Sequence, residues 1–329
     1  MRLRWVIGLL FAAANASYPH APAAAQQTTG YRLGYLDGGS ATAESKRLLS
    51  VFRQRLNELG YREGQNLTIE YRWAEGNYDR LPELAAELAG LKVHIIVAAV
   101  AQAARAAKQA TRTIPVVMVG AVDPVGLGLV KQHARPGENV TGLSSLSAEL
   151  IGKQLELLTE AAPNVFRIAV LWNAANPIEA RLWRARQAAA KTLGVVLVPL
   201  EVRDSADIGP AFAEMVKAQP QALQLLADPL FTVHRSDIIK FAAQHRIPVI
   251  SDTSDFTEAG ALLSYGVHLP DVFRGAARFV DKILKGARAA TLPIEQPTRF
   301  ELVINLKTAR ALGLTIAPSV LGFADRVIE

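Results

Sequence analysis

The chain has 329 residues, of which 50% are hydrophobic and 20% charged, with a formal net charge of +6 and no cysteine. A chain of this length and composition is expected to bury a large core and to divide into two domains. The lack of cysteine excludes disulfides, zinc–thiolate sites, iron–sulfur clusters and a cysteine nucleophile. Lys and Arg are scattered among Asp and Glu without long runs of like charge, so no nucleic-acid partner is expected.

Residues 1–25 have the pattern of a cleavable signal peptide. Arg2 and Arg4 precede a short apolar run, and Ala23 and Ala25 form an A-x-A cleavage site. The run is shorter than the ~20 apolar residues of a membrane span, and no cysteine is present to carry a lipid. We therefore predict cleavage after Ala25 and export to the periplasm as a soluble protein, not as a lipoprotein.

Strand and helix patterns alternate along the first half of the mature chain. The predicted strands are 31–36, 66–73, 93–100 and 114–120, and the predicted helices are 43–60, 78–90 and 101–110. The run 93–100 is apolar apart from His94, as in a strand covered on both faces. The alternation predicts a doubly wound parallel sheet with helices on both faces.

The same alternation begins again after Gly137 and Gly142, which interrupt the pattern. The second run has a helix at 148–162, strands at 167–173, 195–202, 222–228, 247–252 and 260–266, and a helix at 270–286. A proline-bearing connector (291–300) and a strand-to-helix segment (301–314) follow. We therefore predict an α/β fold of two doubly wound parallel-sheet units, with the first boundary near 141–144.

The segment after the fourth strand is either a nucleotide loop or the rim of a cleft. It reads Asp123-Pro124, with Gly126 and Gly128 close behind. A dinucleotide loop needs a third glycine where this chain has Lys131, and an acidic residue about twenty positions later, which is not evident. The residue pattern favours a cleft rim. We then expect Asp123 to contact a ligand or to anchor the loop, and a helix to follow the two glycines.

Local motifs of hydrolases and metal sites are not found in the sequence. There is no G-x-S-x-G elbow and no H-E-x-x-H pair, and no two of the six His residues stand at i, i+4 on a predicted helix. We expect no metal, no cofactor and no enzymatic activity. A catalytic triad assembled from distant residues leaves no local signature, so an exported hydrolase stays an alternative.

Small or polar residues stand at the carboxyl ends of the predicted strands, where open α/β sheets bind ligands. They are Asp37, Gly39, Ser40, Ala101, Gln102 and Asp123 in the first unit, and Asn173, Asp228, Asp252 and Thr253 in the second. Each polar member of the set could equally be an ordinary helix cap. Taken together, they predict two lobes that face one ligand-binding cleft.

The two sides of this cleft differ in chemistry. Helix starts at Ser40 and Gln102 present backbone N–H groups and the positive end of a helix dipole, which suit a carboxylate. Asp228 and Asp252 suit a cation such as an ammonium group. A small zwitterion would satisfy both sides, and amino acids and small organic carboxylates are the candidate ligands.

Several segments together resemble the tryptophan/tyrosine-type group of periplasmic substrate-binding proteins of ABC transporters. They include VGAVDPVGLGLV (119–130), NVTGLS (139–144), 56–76, 153–158, 251–266 and 300–314, and the resemblance covers about 31–329. It implies the type I periplasmic-binding fold, in which two lobes joined by three crossovers close on a ligand by a hinge. It assigns 31–143 plus 265–289 to lobe I and 144–264 plus 290–329 to lobe II.

The resemblance also implies a function without covalent chemistry. We expect a monomeric solute receptor of an ABC importer, with a small molecule and a membrane permease as its partners. A ligand-sensing receptor domain is an alternative, because the same closure would serve it. Members with aromatic amino-acid ligands have Thr-Pro near Val100-Ala101 and Thr-Asp-Asn where this chain has Ala227-Asp228-Pro229. These departures weigh against an aromatic ligand.

Overall fold

The computed structural model describes residues 30–226 and 228–329, and the predicted signal peptide lies outside this part of the chain. The described residues form two sheets, one of five and one of seven strands, each flanked by helices. All strand pairs in this part of the chain are parallel except one, in which β11 (Phe300–Asn305) runs against β10 (Leu263–Val267). This arrangement confirms the predicted fold class.

Lobe I contains the five-stranded sheet, in the order β2-β1-β3-β4-β5. Its strands are β1 (Tyr31–Asp37), β2 (Leu67–Trp73), β3 (Ile95–Ala99), β4 (Val116–Val122) and β5 (Val140–Ser145). Its helices are α1 (Ala43–Glu58), α2 (Leu81–Gly90), α3 (Ala101–Ala110) and α10 (Leu269–Leu284), with short 3-10 helices at Tyr78–Arg80 and Ala289–Thr291.

The central strand β3 lies between the two parts of the lobe I core, which explains its uninterrupted apolar sequence. Ile95, Val97 and Ala99 belong to the core under α1 and α10, whereas Ile96 and Ala98 belong to the core under α2 and α3. Every residue of the strand is buried. Both faces of a parallel sheet are covered, so both sets of alternating side chains must be apolar.

Lobe II contains the seven-stranded sheet, in the order β12-β11-β10-β9-β8-β6-β7. The strands not yet given are β6 (Arg167–Asn173), β7 (Val196–Val202), β8 (Ala222–Leu225), β9 (Val249–Ser251) and β12 (Arg326–Ile328). The helices are α4 (Ser147–Ala161), α5 (Glu179–Leu193), α6 (Ile208–Ala218), α7 (Pro229–Val233), α8 (Arg235–Gln244), α9 (Ser254–Ala259), α11 (Leu306–Leu312) and α12 (Pro318–Leu321), with a 3-10 helix at Ser205–Asp207.

Three segments cross between the lobes. The chain passes from β5 into α4, from β10 into α10, and from α10 through 285–299 into β11. Residues 144–145 therefore lie in the first sheet, and residues 265–267 lie in the second, a few positions from the boundaries that the resemblance suggested. No helix of the described chain has the length and apolar character that crossing a membrane requires.

Two local expectations are wrong. Gly142 does not interrupt a pattern but lies inside β5, where its φ is 128° and a Cβ would overlap the main chain of Met118. No helix follows Gly126 and Gly128, because the chain makes turns instead, with the amide of Leu127 donating to the carbonyl of Asp123 at 3.0 Å. In both places a glycine serves close packing or turning of the backbone.

Candidate ligand-binding cleft

The carboxyl ends of the two sheets meet at a closed interface between the lobes. A Cβ on Gly38 of lobe I would stand 3.3 Å from Pro229 Cγ of lobe II, and one on Gly76 would stand 3.6 Å from the Pro229 carbonyl oxygen. The loops after β1 and β2 therefore lie in van der Waals contact with α7. Glycine at these positions lets the opposing backbone approach closely.

Three pairs of described side chains join the lobes across this interface, in addition to the bond that Arg181 Nη2 donates to the Gly126 carbonyl at 3.0 Å. The Tyr78 hydroxyl donates to Asp228 Oδ2 at 2.7 Å, and Gln102 Nε2 donates to Asn176 Oδ1 at 2.5 Å. The third is the ion pair between Asp123 of lobe I and Arg181 of lobe II. Each contact would be broken by a hinge opening of the lobes, so the structure is that of a closed form.

Asp228 is the centre of the lobe II side. Asp228 is 2% exposed. Besides the bond from Tyr78, its carboxylate accepts hydrogen bonds from Asn173 Nδ2 at 3.0 Å, Asn176 Nδ2 at 3.1 Å and the Leu230 amide at 3.0 Å. The Leu230 bond caps α7, so the capping interpretation of Asp228 also holds. No ion pair involves Asp228 in the described chain, and its negative charge is balanced by neutral donors alone.

Tyr78 is held between the lobes in its neutral form. Burial raises the pKa of its hydroxyl well above the usual value, and the nearby charges of Asp228, Glu179 and Asp37 raise it further. A protonated phenol can only donate to the Asp228 carboxylate. Tyr78 therefore acts as a removable hydrogen-bond donor that lobe I brings to lobe II on closure.

A buried ion pair lies behind Asp228. Arg186 is fully buried and donates through Nη1 to Glu179 Oε2 at 2.7 Å, while its Nε and Nη2 have no hydrogen-bond partner in the described chain. Burial raises the pKa of Glu179, the Arg186 charge opposes that rise, and the Asp228 charge adds to it. The helix α5 thus places a second carboxylate close to the cleft, but one that carries its own cation.

Asp37 is the corresponding carboxylate of lobe I. Its Oδ1 accepts from the Gly39 amide at 2.8 Å and its Oδ2 from the Tyr35 hydroxyl at 2.7 Å. Burial raises its pKa, while these two hydrogen bonds lower it by less. Lobe I offers no cation to it among the described ion pairs.

The backbone of lobe I is strained where it reaches the cleft. Glu75, Val100 and Asp123 follow β2, β3 and β4 and have φ values of 56°, 69° and 43°. Non-glycine residues in this region cost about 1–3 kcal/mol each and cluster at functional sites. Val100 leads directly into α3, whose amino end has no side-chain cap. The backbone N–H groups at Ala101 and Gln102 therefore stay candidates for binding the carboxylate of a ligand, as the sequence predicts.

Two of the predicted positions have a different local role. The helix α1 begins at Ala43 and is capped by Thr42, whose Oγ1 accepts from the Ser45 amide at 3.2 Å. Ser40 is therefore not a helix start, and its carbonyl instead accepts from the Ser45 hydroxyl at 2.8 Å. Asp123 anchors its loop, since its Oδ1 accepts from the Gly126 amide at 2.9 Å, and its other oxygen pairs with Arg181.

Asp252 and Thr253 border a different place between the lobes from Asp228. They border a small gap of about 20 Å³ between α1 and lobe II, together with Glu44 and Arg47. The Thr253 hydroxyl donates to Asp255. The ten predicted positions thus do not form one cluster. Asn173 contacts Asp228 directly, whereas Asp123 lies in the loop that pairs with Arg181, and Asp252 and Thr253 border the gap beside α1.

A separate cavity of about 190 Å³ lies between the lobes beside the first crossover. Its walls include Val122, Ile178 and Leu182, and the Asp123–Arg181 pair lies at its edge. Ser144 lines it with a buried hydroxyl that has no partner in the described chain. A buried polar atom of this kind needs a water or a ligand group, so space for a small molecule persists at the interface even in the closed form.

Sequence reasoning missed the residues that act through tertiary contact. Tyr78, Asn176, Glu179, Arg181 and Arg186 all contribute to the closed interface. Asn176 could have been found, because it lies three residues after Asn173 in the same polar loop, NAANP. The described residues contain no group of three His, Asp or Glu that could hold a metal ion.

The two lobes, the three crossovers and the closed cleft define a bilobal binding protein of type I. The family model of ABC transporter substrate binding proteins matches residues 46–328. The chain therefore belongs to the family of ABC transporter substrate-binding proteins, which confirms the resemblance seen in the sequence.

Individual relatives support this assignment. A tyrosine-binding protein of Clostridioides difficile is 27% identical over 263 residues, covering 80% of this chain and 75% of that protein. A solved conserved domain protein from Vibrio cholerae is 30% identical with a TM-score of 0.82, covering 90% of this chain and 99% of that one. An ABC domain from Streptococcus pneumoniae in complex with L-Trp is 25% identical with a TM-score of 0.84, covering 91% and 100%.

Proposed function

We propose that this protein is the exported solute receptor of an ABC importer and that it captures a small amine-bearing solute, such as an amino acid, between its lobes. The observation that carries the proposal is Asp228, a buried carboxylate at the lobe interface that forms no ion pair with any described residue. A buried charge is normally paired, and a ligand ammonium group that displaced the Tyr78 hydroxyl would supply the missing charge.

The other features of the cleft fit the same ligand. The uncapped amino end of α3 suits the carboxylate of a zwitterion, and Asp37 provides a second acidic group on that lobe. The names of the relatives, tyrosine-binding and in complex with L-Trp, support an amino acid. The departures from the aromatic-ligand pattern at Val100-Ala101 and Pro229 favour a ligand other than the aromatic ones.

Capture would proceed by hinge closure around the three crossovers. In the open form the ligand would bind one lobe, and closure would add the contacts of the other. The closed protein would then present surfaces of both lobes to a membrane permease, which fits the family and the predicted signal peptide. Uptake of the identified ligand by cells with and without the gene would test import against a purely sensory role.

The direct test is a thermal-shift and calorimetry panel of amino acids, amines and small carboxylates. A true ligand at 100 times its Kd should add about 2.7 kcal/mol to the free energy of unfolding. Asp228→Asn should abolish the response to amine-bearing hits. Asp204→Asn, which alters an exposed carboxylate that caps the 3-10 helix of lobe II, should leave it unchanged. Responses confined to compounds without an amine would contradict the proposed ligand class.

A further inference from the structure

A cavity of about 1240 Å³ lies at the edge of lobe I that faces away from the cleft. Tyr31, which begins β1, and His94, which precedes β3, contribute to it, so it lies at the amino ends of the strands. We call it the amino-edge basin and define it by Tyr31, His94, Arg105, Lys108, Arg112 and Arg288. It shares none of these residues with the ligand-binding cleft.

The basin is strongly positive. Arg105, Lys108 and Arg112 are spaced three and four residues apart along α3 and just beyond its end, so they form one stripe on its surface. Arg288 lies on the segment after α10 that faces them. Among the described residues, Glu138 is the single acidic one that lines the basin, and it is already bound to Lys108 at 2.9 Å.

The ordinary roles of surface cations do not account for this charge. A cation in the last turn of α3 would complement the helix dipole, and Lys108 does donate to the Gly128 carbonyl at 2.8 Å. Arg105, however, lies in the middle of α3, and Arg288 immediately precedes a 3-10 helix, where a cation is not favoured. Neither of these two side chains takes part in an ion pair within the described chain.

The nearby cations lower the pKa of Glu138, as a positive field would. This pKa is lowered mainly by Lys108, and the charges of Lys131 and Arg112 lower it further. The Lys131 side chain passes close to Gly137, with its Cδ 3.1 Å from the position of a Cβ there. Lys131 therefore adds a fifth cation at the rim, against the one carboxylate of Glu138.

We propose that the amino-edge basin is a second binding site, which takes a soluble, chain-like polyanion that carries several phosphate groups. Arg guanidinium groups suit phosphate because they offer paired donors in a fixed plane. Several cations around one hollow would release condensed counterions when a polyanion enters, which favours binding at low salt. The hollow shape favours a chain that enters it over a flat lipid surface, which would touch only the rim.

The test uses the mature protein and inorganic polyphosphate as the probe, with binding followed by calorimetry over a series of salt concentrations. The variant R105Q/R112Q/R288Q should lose at least tenfold in affinity. It should also lower the slope of log K against log salt by about two, taking about 0.7 per cation as for single-stranded polyanions. Lys108 is left in place because its bonds to Glu138 and Gly128 support the fold.

The matched control is R184Q/R246Q/R310Q, which removes the same charge from exposed positions of lobe II. It should bind polyphosphate as the wild type does. Equal losses in the two triple variants would show a net-charge effect and overturn the proposal. So would an absence of binding by the wild type at moderate salt, or binding to phosphatidylglycerol vesicles without binding to polyphosphate. None of these outcomes depends on the solute that the cleft takes.

Discussion

The two lobes contribute to the cleft in different ways. Lobe II provides buried side chains that hold one another, with Asp228 bound by Asn173 and Asn176 and with Glu179 paired to Arg186. Lobe I provides chiefly backbone, with strained residues such as Val100 and an uncapped helix end. The difference indicates that lobe II is organised before a ligand arrives, whereas much of the polar contribution of lobe I forms on closure, through Tyr78 and Gln102.

The largest effect should come from the buried ion pair of lobe II. Arg186→Met leaves the Glu179 carboxylate buried without its cation, and breaking a buried pair in this way costs about 3–5 kcal/mol. Urea unfolding of the variant measures the loss. The double variant R186M/E179Q removes both charges and should recover most of it. A single variant with stability near that of the wild type would show that side-chain charge does not organise lobe II.

The next effect tests the backbone of lobe I. Gly142→Ala would force a residue with a Cβ to adopt a φ of 128° against the main chain of Met118, and we expect a loss of about 2 kcal/mol or more. Gly209→Ala is the control, because a Cβ there meets nothing within 4 Å and Ala favours a helix by up to about 1 kcal/mol. Equal stability of the two variants in thermal unfolding would contradict this account of β5.

A smaller effect should come from the contact that Tyr78 makes across the cleft. Tyr78→Phe removes one of four donors from the Asp228 carboxylate, which should cost the closed form about 1.5 kcal/mol, the lower end of the range for a hydrogen bond to a charged group. Small-angle scattering of the ligand-free protein should then show a larger radius of gyration. Tyr71→Phe removes a hydroxyl that bonds Glu63 within lobe I, so it should leave the radius unchanged. A change in both variants would mean that closure does not depend on Tyr78.

The exposed pair between Asp123 and Arg181 should matter least. Their side chains are 36% and 49% exposed, and exposed ion pairs contribute about 0–1 kcal/mol. Arg181→Gln should shift the lobes slightly towards the open form at low salt and have no effect at high salt. Gly126→Ala should act in the same way, because its Cβ would overlap the Arg181 guanidinium. Arg184→Gln, on the same helix α5, is the control and should leave the balance between open and closed forms unchanged at low and at high salt.

The last prediction concerns the pH dependence of the free energy of unfolding. Burial raises the pKa of Asp37 above its unfolded value, so the folded state binds this proton more tightly. The contribution of Asp37 to stability is therefore full below about pH 4 and is lost as the pH rises through the folded pKa. The stability of Asp37→Asn relative to the wild type should increase as the pH rises from about 4 through the folded pKa of Asp37, and should then level off. A difference independent of pH would exclude burial of the Asp37 charge.

Sequence reasoning located the elements well and the contacts poorly. The alternation of period-2 and helical patterns marked β1, β3, α3 and β6 to within a residue or two, because burial on both faces of a parallel sheet leaves a plain apolar signal. Gly142 was misread as a break, since a glycine required by a close neighbour and one that ends an element look alike in one dimension.

The sequence by itself determined the class of fold, the alternation of strands and helices, and the presence of polar residues at the strand ends. Only the tertiary structure decided which of these residues meet and that Tyr78 and Asn176 join the lobes. The physical reason is the distance along the chain between the residues that interact. Periodicity and capping are set by neighbours a few residues apart, whereas Tyr78 and Asp228 are 150 positions apart and are brought together by the closure of two separately built lobes.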